Sequence, residues 1–428
     1  MGYFDNDKTA VAVDAVTSVA SPNSKRKPAT ESQLEGKRTG MVVFSPYPAD
    51  PRPRRAVEAL LKEGMQIDLI CEAEDGSRKH ERFGQLEIIR VPIRHRREGA
   101  FSYAYQYSTF ILISAAILAW RSLRRRYDLV YVHNMPDILV LSALLPKLLG
   151  AKVILDQHDP MPELMRTIFG KGETSAEVRM LYHLEKRSIA VADFVITVNV
   201  ACKRLFSTRS CRAEKIGVVM NSPAEEIFPY REARSYPARS KGQQFIIMYH
   251  GSLVERSGLE LAIDALYKVQ GNVPQAELRV YGRSTPYLER AMSKAHALDL
   301  GDRVRYMGPR RLEDLASEIE RCDLGIIPNL RNTFTEINTP TRIFEYLALG
   351  KPVIAPSTLG IRDYFSPDSL IFFEAGDSDD LAMKIEFVAW HPDEAITVTE
   401  RGQRVYLAHT WREERTIFIN LVTKLIAG

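Results

Sequence analysis

The sequence predicts an α/β protein built of two doubly wound, Rossmann-like domains facing a cleft. Three observations predict it. Short apolar runs alternate with helical segments from Met41 onward, the pattern of a parallel sheet covered on both faces. The alternation stops between about Glu225 and Gly242, where Pro223, Pro229 and Pro237 are interspersed with Arg and Ser, and then restarts. A length of 428 residues, with 45% hydrophobic and 26% charged side chains, is enough for two or three ordinary globular domains.

Residues 1–38 are polar and without a sustained period, so a disordered tail is expected; its Lys25-Arg26-Lys27-Pro28 run reads as solvated charge. The first domain, 39–228, carries strand candidates at 41–45, 67–71, 86–91, 129–133, 152–156, 194–198 and 216–220. Helical stretches at 53–64, 136–150 and 176–190 lie between them. A linker is expected over 229–242. The second domain, 243–408, restarts the alternation with strands at 245–250, 277–281, 303–307, 323–327, 352–355 and 370–373. Beyond Asp377 the pattern is helical, and Asp377-Ser378-Asp379-Asp380 reads as a helix N-terminus. The last segment, 409–428, is an amphipathic helix.

One helix is unusual. The run FILISAAILAW at 110–120 follows aromatic residues and has Arg94, Arg96 and Arg97 before it and Arg121, Arg124, Arg125 and Arg126 after it. About eleven apolar residues are too few for a span, which needs roughly twenty. Two readings stay open: a core helix with solvated ends, or a helix lying in a membrane interface. The charge is asymmetric in the same sense. Residues 39–228 hold 27 Lys and Arg against 22 Asp and Glu, while residues 243–428 hold 21 against 26. No N-terminal apolar run resembles a signal peptide, and Cys71, Cys202, Cys211 and Cys322 show neither disulfide nor metal-ligand spacing, which suits reduced cytoplasmic thiols. No nucleic-acid partner is expected.

The chemistry concentrates in two stretches. In YHGSLVERSGLELAIDAL, 249–266, a strand ends at His250, Gly251 turns the chain, a loop carries Ser252 and Arg256, and Gly258 precedes a helix. Glycine at both corners permits close backbone approach, and the forked donors of Arg256 suit a phosphate. In NTPTRIFEYLALGKPVIAP, 338–356, Thr339 is the expected N-cap, Pro340 the first helical residue, and Ile343, Phe344, Leu347 and Ala348 the apolar stripe. The N-terminus at Thr339, Thr341 and Arg342 is a ready site for a diphosphate. Glu345, beside the stripe, could accept two hydrogen bonds from the vicinal hydroxyls of a ribose. No G-x-G-x-x-G follows either domain's first strand and no P-loop occurs, so a nicotinamide, flavin or P-loop nucleotide site is disfavoured.

The order of these stretches carries a resemblance. HG-x-L-x-x-R-x-G-L, then Y-G at 281–282, M-G-P at 307–309, P-N at 328–329 and TFTEINTPTRIFEYLALGKPVIA resembles family 4 glycosyltransferases, retaining enzymes of the GT-B fold. DPRPRRAVEALLKEG, YVHNMPD and ILDQHDPMPEL in the first domain resemble the bacterial members. The resemblance implies that Arg256 binds the donor diphosphate, Glu345 the ribose, and the amides at 339–342 the phosphates or sugar. It further implies that Gly282 and Gly308 line the base pocket, that His158 lies near the transferred sugar, and that the 409–428 helix crosses back to the first domain. Two departures stand out. The family's first glutamate falls at Ile337, leaving Glu336 one residue off to fill that role; the usual Arg and Lys of the diphosphate loop are Ser252 and Ser257.

The expected activity is thus hexosyl transfer from a UDP- or GDP-sugar, without other cofactor or essential metal, to a lipid-linked or other glycan acceptor. The expected place is the inner face of the cytoplasmic membrane, in surface polysaccharide synthesis. A sugar-nucleotide epimerase of the same architecture and a non-catalytic membrane-associated scaffold are the rival readings.

Overall fold

The computed structural model describes residues 32–74, 76–93, 99–234 and 243–428; of residues 99–104 it describes the backbone. The basic residues Arg94, Arg96 and Arg97, most of the expected tail and positions 235–242 of the expected linker lie outside that set.

Two sheets form the frame. The first runs β3(His80–Phe83), β4(Leu86–Val91), β2(Gln66–Glu72), β1(Arg38–Pro46), β5(Leu129–His133), β6(Lys152–Gln157), β7(Phe194–Thr197) and β8(Ile216–Val218). The second runs β11(Val304–Gly308), β10(Ala276–Tyr281), β9(Phe245–His250), β12(Leu324–Ile326), β13(Val353–Pro356) and β14(Ile371–Phe373). Among the described residues every pairing is parallel except that of β3 with β4. The hairpin strand β3 was not expected from the sequence: HERF is short and charged, and its register on β4, with His80 opposite Ile89, comes from the turn at Gly84.

Side chains alternate across the first sheet as period-two pleating requires. Met41, Leu69 and Tyr131 point to one face, against Val57 and Leu60 of the helix Pro51–Lys62 and against Phe418 and Val422. Val42, Ile70 and Val132 point to the other, against Phe110 and Leu118 of the helix Gly99–Arg124. In the second domain Ile247 and Tyr249 pack under the helices Leu259–Val269 and Ser378–Trp390, while Met248 packs with Phe344, Tyr346 and Leu347 of the helix Thr341–Ala348.

Ordered packing begins before residue 39. Leu34 is buried in the first core, Gly36 N–H bonds Gly64 O, and Ser32 Oγ donates to Glu63. The crossing between domains also comes earlier than 229, because Met220 and Phe228 already lie in the second domain's core. Hydrophobic periodicity marks helices and strands but not an irregular segment anchored by two side chains.

The chain ends by returning to the first domain. The helix Trp411–Ala427 buries Phe418 and Val422 there, Met220 N–H donates to Glu414 Oε2 at 2.8 Å, and Arg415 reaches Glu63 at 2.6 Å. Burying each large apolar side chain is worth about 1.5–3 kcal/mol. Deleting residues from Trp411 onward uncovers Leu60 and Tyr131, so stability and activity should fall together; a truncated protein that melts with the parent would contradict this.

Candidate active site

The site is built where the carboxyl ends of both sheets meet, the usual ligand position in open parallel sheets. In the second domain three backbone segments lie side by side at that edge. Gly251 N–H bonds Tyr281 O, and Gly282 N–H bonds Gly308 O. A Cβ on Gly282 would stand 2.3 Å from Gly251 O, so glycine is required for the close approach. Gly258 has φ +69, and a Cβ there would come within 1.8 Å of Pro328 O. These contacts explain the corner glycines around the loop that carries Ser252 and Arg256.

Arg256 sits on the short 3-10 turn Glu255–Ser257 with its guanidinium 5.8 Å over the Phe334 ring, and it has no carboxylate partner among the described residues. Arg342, on the first turn of the helix Thr341–Ala348, reaches back over the end of β9. Its Nη1 donates to His250 O and its Nη2 to Asn329 Oδ1. A Cβ on Gly251 would meet that side chain at 3.3 Å. Two guanidinium groups thus flank the Gly251 loop; sequence reasoning placed the charge chiefly on Arg256.

Thr339 differs from its expected role. The helix N-cap is Pro340, and Thr339 Oγ1 instead donates to Gly360 O at 2.7 Å and accepts from Asn199 of the first domain at 3.2 Å. The proline holds extended backbone one residue later than the Thr-Pro pattern suggests, so Thr341 opens the helix.

Glu345 is the group with the most telling surroundings. Its side chain is 13% exposed and lies 3.4 Å from His250 Nε2, which makes no hydrogen bond among the described residues. Burial pushes its carboxyl from 4.5 up to about 7, against the opposing pull of Arg342 and of Arg55 from the first domain. His250 is held neutral by burial and by Arg342. A largely buried carboxylate that makes no hydrogen bond among the described residues and is felt by a side chain across the cleft is a poor structural element and a good ligand acceptor.

Glu336 is placed otherwise. Its Oε1 accepts from Leu359 N–H at 3.1 Å and its Oε2 pairs with Arg331 at 3.1 Å, and no contact joins it to Arg256, Arg342 or Glu345 among the described residues. A one-residue offset in an irregular loop is enough to turn the carboxylate toward the short helix Leu359–Arg362.

On the first-domain side, His158 follows β6. Its N–H bonds Asn134 Oδ1 at 3.1 Å, its Nδ1 is 4.0 Å from Asp159, and its Nε2 is buried without a hydrogen-bond partner among the described residues. Beneath it is a polar network that sequence reasoning missed. Asn134 Nδ2 donates to Asp137, Gln157 and Asp159 O, and burial raises the Asp137 carboxyl to about 7. Arg52 binds both oxygens of Asp156, which also accepts from Tyr131 at 2.8 Å and lies 3.3 Å from His133 Nδ1. The strings YVHNMPD and ILDQHD, in which polar residues end strands, were the available signal.

The domains touch around this cleft. Thr167 donates to Asn332 at 3.0 Å, Asn199 to Ile337 O at 2.9 Å, and Arg204 to both oxygens of Asp363 at 2.8 and 2.7 Å.

Two family models match the chain. One, described as glycosyl transferases group 1, covers residues 244–389. The other, a glycosyl transferase 4-like domain, covers residues 49–222. Together with the two facing sheets they decide the assignment. The chain is a GT-B glycosyltransferase. Solved structures of this shape span nearly all of the glycosyltransferase. A sucrose-phosphate synthase from Thermosynechococcus elongatus superposes with TM-score 0.71 at 18% identity, covering 91% of this chain and 99% of that one. Anabaena HepE in complex with UDP gives 0.65 at 14%, covering 91% and 100%. WaaG, a glycosyltransferase involved in lipopolysaccharide biosynthesis, gives 0.64 at 14%, covering 90% and 99%. At such identities the likeness concerns the fold of the glycosyltransferase, and its site is read from its own residues.

Proposed function

We propose that this glycosyltransferase moves a hexose, with retention, from a UDP- or GDP-sugar to a lipid-linked glycan acceptor of a surface polysaccharide. The observation that carries the donor reading is Glu345: a largely buried carboxylate, without a hydrogen bond among the described residues, between the Arg342 helix and the first domain. Ribose hydroxyls would supply the two hydrogen bonds it lacks. Arg256, Arg342 and the Thr341 helix start would stabilise charge growing on the leaving diphosphate, with Ser252 beside them and the Gly282–Gly308 seam under the base. The sugar C1–O bond to the diphosphate breaks and the acceptor oxygen bonds C1 on the same face. The acceptor proton passes to the leaving phosphate oxygen, so no carboxylate base is required. His158 Nε2, buried and unpartnered, would meet the sugar. Glu336, held by Arg331 and Leu359, has at most an indirect part. Among structures of this fold, HepE binds UDP and, in another complex, UDP-glucose, which favours a uridine donor.

A donor-panel hydrolysis assay tests the reading: one nucleoside diphosphate sugar should be hydrolysed slowly alone and rapidly with acceptor. Turnover that is indifferent to any acceptor would favour the epimerase instead.

The lipid-linked acceptor rests on the helix Gly99–Arg124. It has a core face at Phe110, Ser114, Leu118 and Ser122, yet Tyr105, Leu112, Trp120 and Leu123 are exposed on its outer side and Arg124–Arg126 follow. It packs against the segment Asp137–Leu148, which exposes Leu141, Leu144 and Leu148. One face of this helix is thus core, and the other is an exposed apolar face that suits the interfacial reading. Among the described residues no helix is long and apolar enough to cross a membrane. An interfacial face with terminal arginines suits reversible docking, at about 1 kcal/mol per basic residue near an anionic surface. In liposome flotation the parent should float with anionic vesicles at low salt, and a variant with Leu112 and Leu123 changed to Ser should not. Equal recovery of both in the soluble fraction would leave a soluble acceptor as the better reading.

A further inference from the structure

At the edge of the first sheet opposite the cleft, where β1, β2 and β4 begin, lies a cavity of about 440 Å³. It is lined by Arg38, Arg82, Arg121, Arg124 and Arg125, with Trp120 at its side and Asp68 and Glu87 among its walls. Five arginines from β1, β3 and the end of the helix Gly99–Arg124 line one space.

The two carboxylates do not balance them. Asp68 is taken by Arg38 and Arg121 and also accepts from Tyr127, and Glu87 is taken by Arg121 and His80. The other three have no carboxylate partner among the described residues. Arg124 lies 3.5 Å over the Trp120 ring, Arg125 donates to Gln66 at 2.9 Å, and Arg82 stands exposed on β3. Arginines at the end of a helix complement its dipole, which accounts for Arg121, Arg124 and Arg125. It does not account for Arg82, which comes from the hairpin, or for Arg38 from the central strand. Like charges gathered around a concave space are unfavourable unless an anion enters, and guanidinium forks match phosphate oxygens in pairs. The volume lies in the range of small-molecule sites.

We propose that this cavity is a second anion site of the protein, taking a phosphate-bearing group at the far end of the first domain from the catalytic cleft. Its ligand is a phosphoryl or diphosphoryl group with a small headgroup. That chemistry is offered both by soluble phosphate compounds and by the headgroup of an anionic lipid. The inference stands apart from the donor reading, since no residue of the cleft takes part in it.

The test is calorimetric titration of the full chain with inorganic diphosphate, comparing the parent with Arg82→Gln/Arg125→Gln. Both proteins keep the same cleft, so their difference reports the cavity alone, and thermal melting checks that the variant folds. The parent should show a binding event whose affinity falls at least tenfold in the variant. Flotation with phosphatidylglycerol and phosphatidylcholine vesicles then separates the sources. A lipid headgroup requires that the parent float with phosphatidylglycerol only, that the variant float less, and that diphosphate displace the parent. A soluble ligand requires the calorimetric difference together with flotation of the parent that diphosphate does not displace. Identical titrations and identical flotation for the two proteins would overturn the proposal.

Discussion

Replacing Glu345 with Ala should lower donor turnover by about a hundredfold to ten-thousandfold, because two hydrogen bonds to a charged group, worth about 1.5–3 kcal/mol each, are lost. Arg256→Ala should lower kcat more than it raises KM, since its partner's charge grows toward the transition state; removing one such preorganised donor costs about 2.7–4 kcal/mol. Glu345→Gln separates a functional role from a structural one. The carboxyl is raised by burial from 4.5 to about 7. An acid whose folded pKa exceeds its unfolded one keeps its proton longer when folded. Its effect on stability is therefore absent below pH 4.5, grows as pH rises, and is a full penalty above about 7. Glu345→Gln should then match the parent in thermal melting at pH 4.5 and exceed it at pH 8, by on the order of 1–3 kcal/mol, while turning over poorly. Donor affinity of the parent should move the other way, improving as pH rises through 7 and the carboxylate forms. A variant that is less stable at pH 8 and fully active would remove Glu345 from the site.

The sequence made the two sheets legible because their strands are buried on both faces and read as short apolar runs between helices of ordinary length. Ile67–Leu69 and Ile247–Tyr249 belong to such runs, within β2 and β9. The corner glycines were legible too, since only glycine permits φ +69 beside Pro328 O. What escaped was set by tertiary contact. Nothing in the order of residues says that Asp156 and Arg52, 104 positions apart, would share a buried ion pair. Arg342 looked like one residue of a helix start, and only the folded chain brings its guanidinium to His250 O. Glu336 and Ile337 exchange places with a single step of an irregular loop, and no periodicity registers such a step. Thr339 is not the helix N-cap, and Glu336 turns toward Arg331, for one reason: both lie in irregular backbone held by partners in other elements, Gly360 and Asn199 for one and Arg331 and Leu359 for the other.

The largest expected effect on stability is at Asp156. Burial alone would raise its carboxyl, yet Arg52 and His133 beside it hold it well below the usual carboxylate range. Arg52 is 9% exposed and also donates to Val219 O and Asn221 Oδ1, so one guanidinium ties β6, the start of the helix Pro51–Lys62 and the segment crossing to the second domain. Asp156→Ala leaves that guanidinium buried without its counter-charge and Tyr131 without an acceptor. The loss should be about 3–5 kcal/mol, the cost of breaking rather than replacing a buried pair. The urea midpoint should shift accordingly, and turnover should fall because His158 lies two residues further along the same strand end. The sign of the pH dependence is fixed by the depressed carboxyl. Its contribution is complete above the unfolded pKa near 4 and is lost as pH falls toward the lower folded value, so the variant's deficit should be full at pH 7 and smaller at pH 3. Replacing both partners with Arg52→Met/Asp156→Leu should recover much of the midpoint, since an apolar pair of similar volume carries no unpaired charge, but should not recover activity, because the crossing segment loses its tie to β6. Equal midpoints for the parent and Asp156→Ala at pH 7 would show that water reaches the pair and that the crossing segment is held by other contacts.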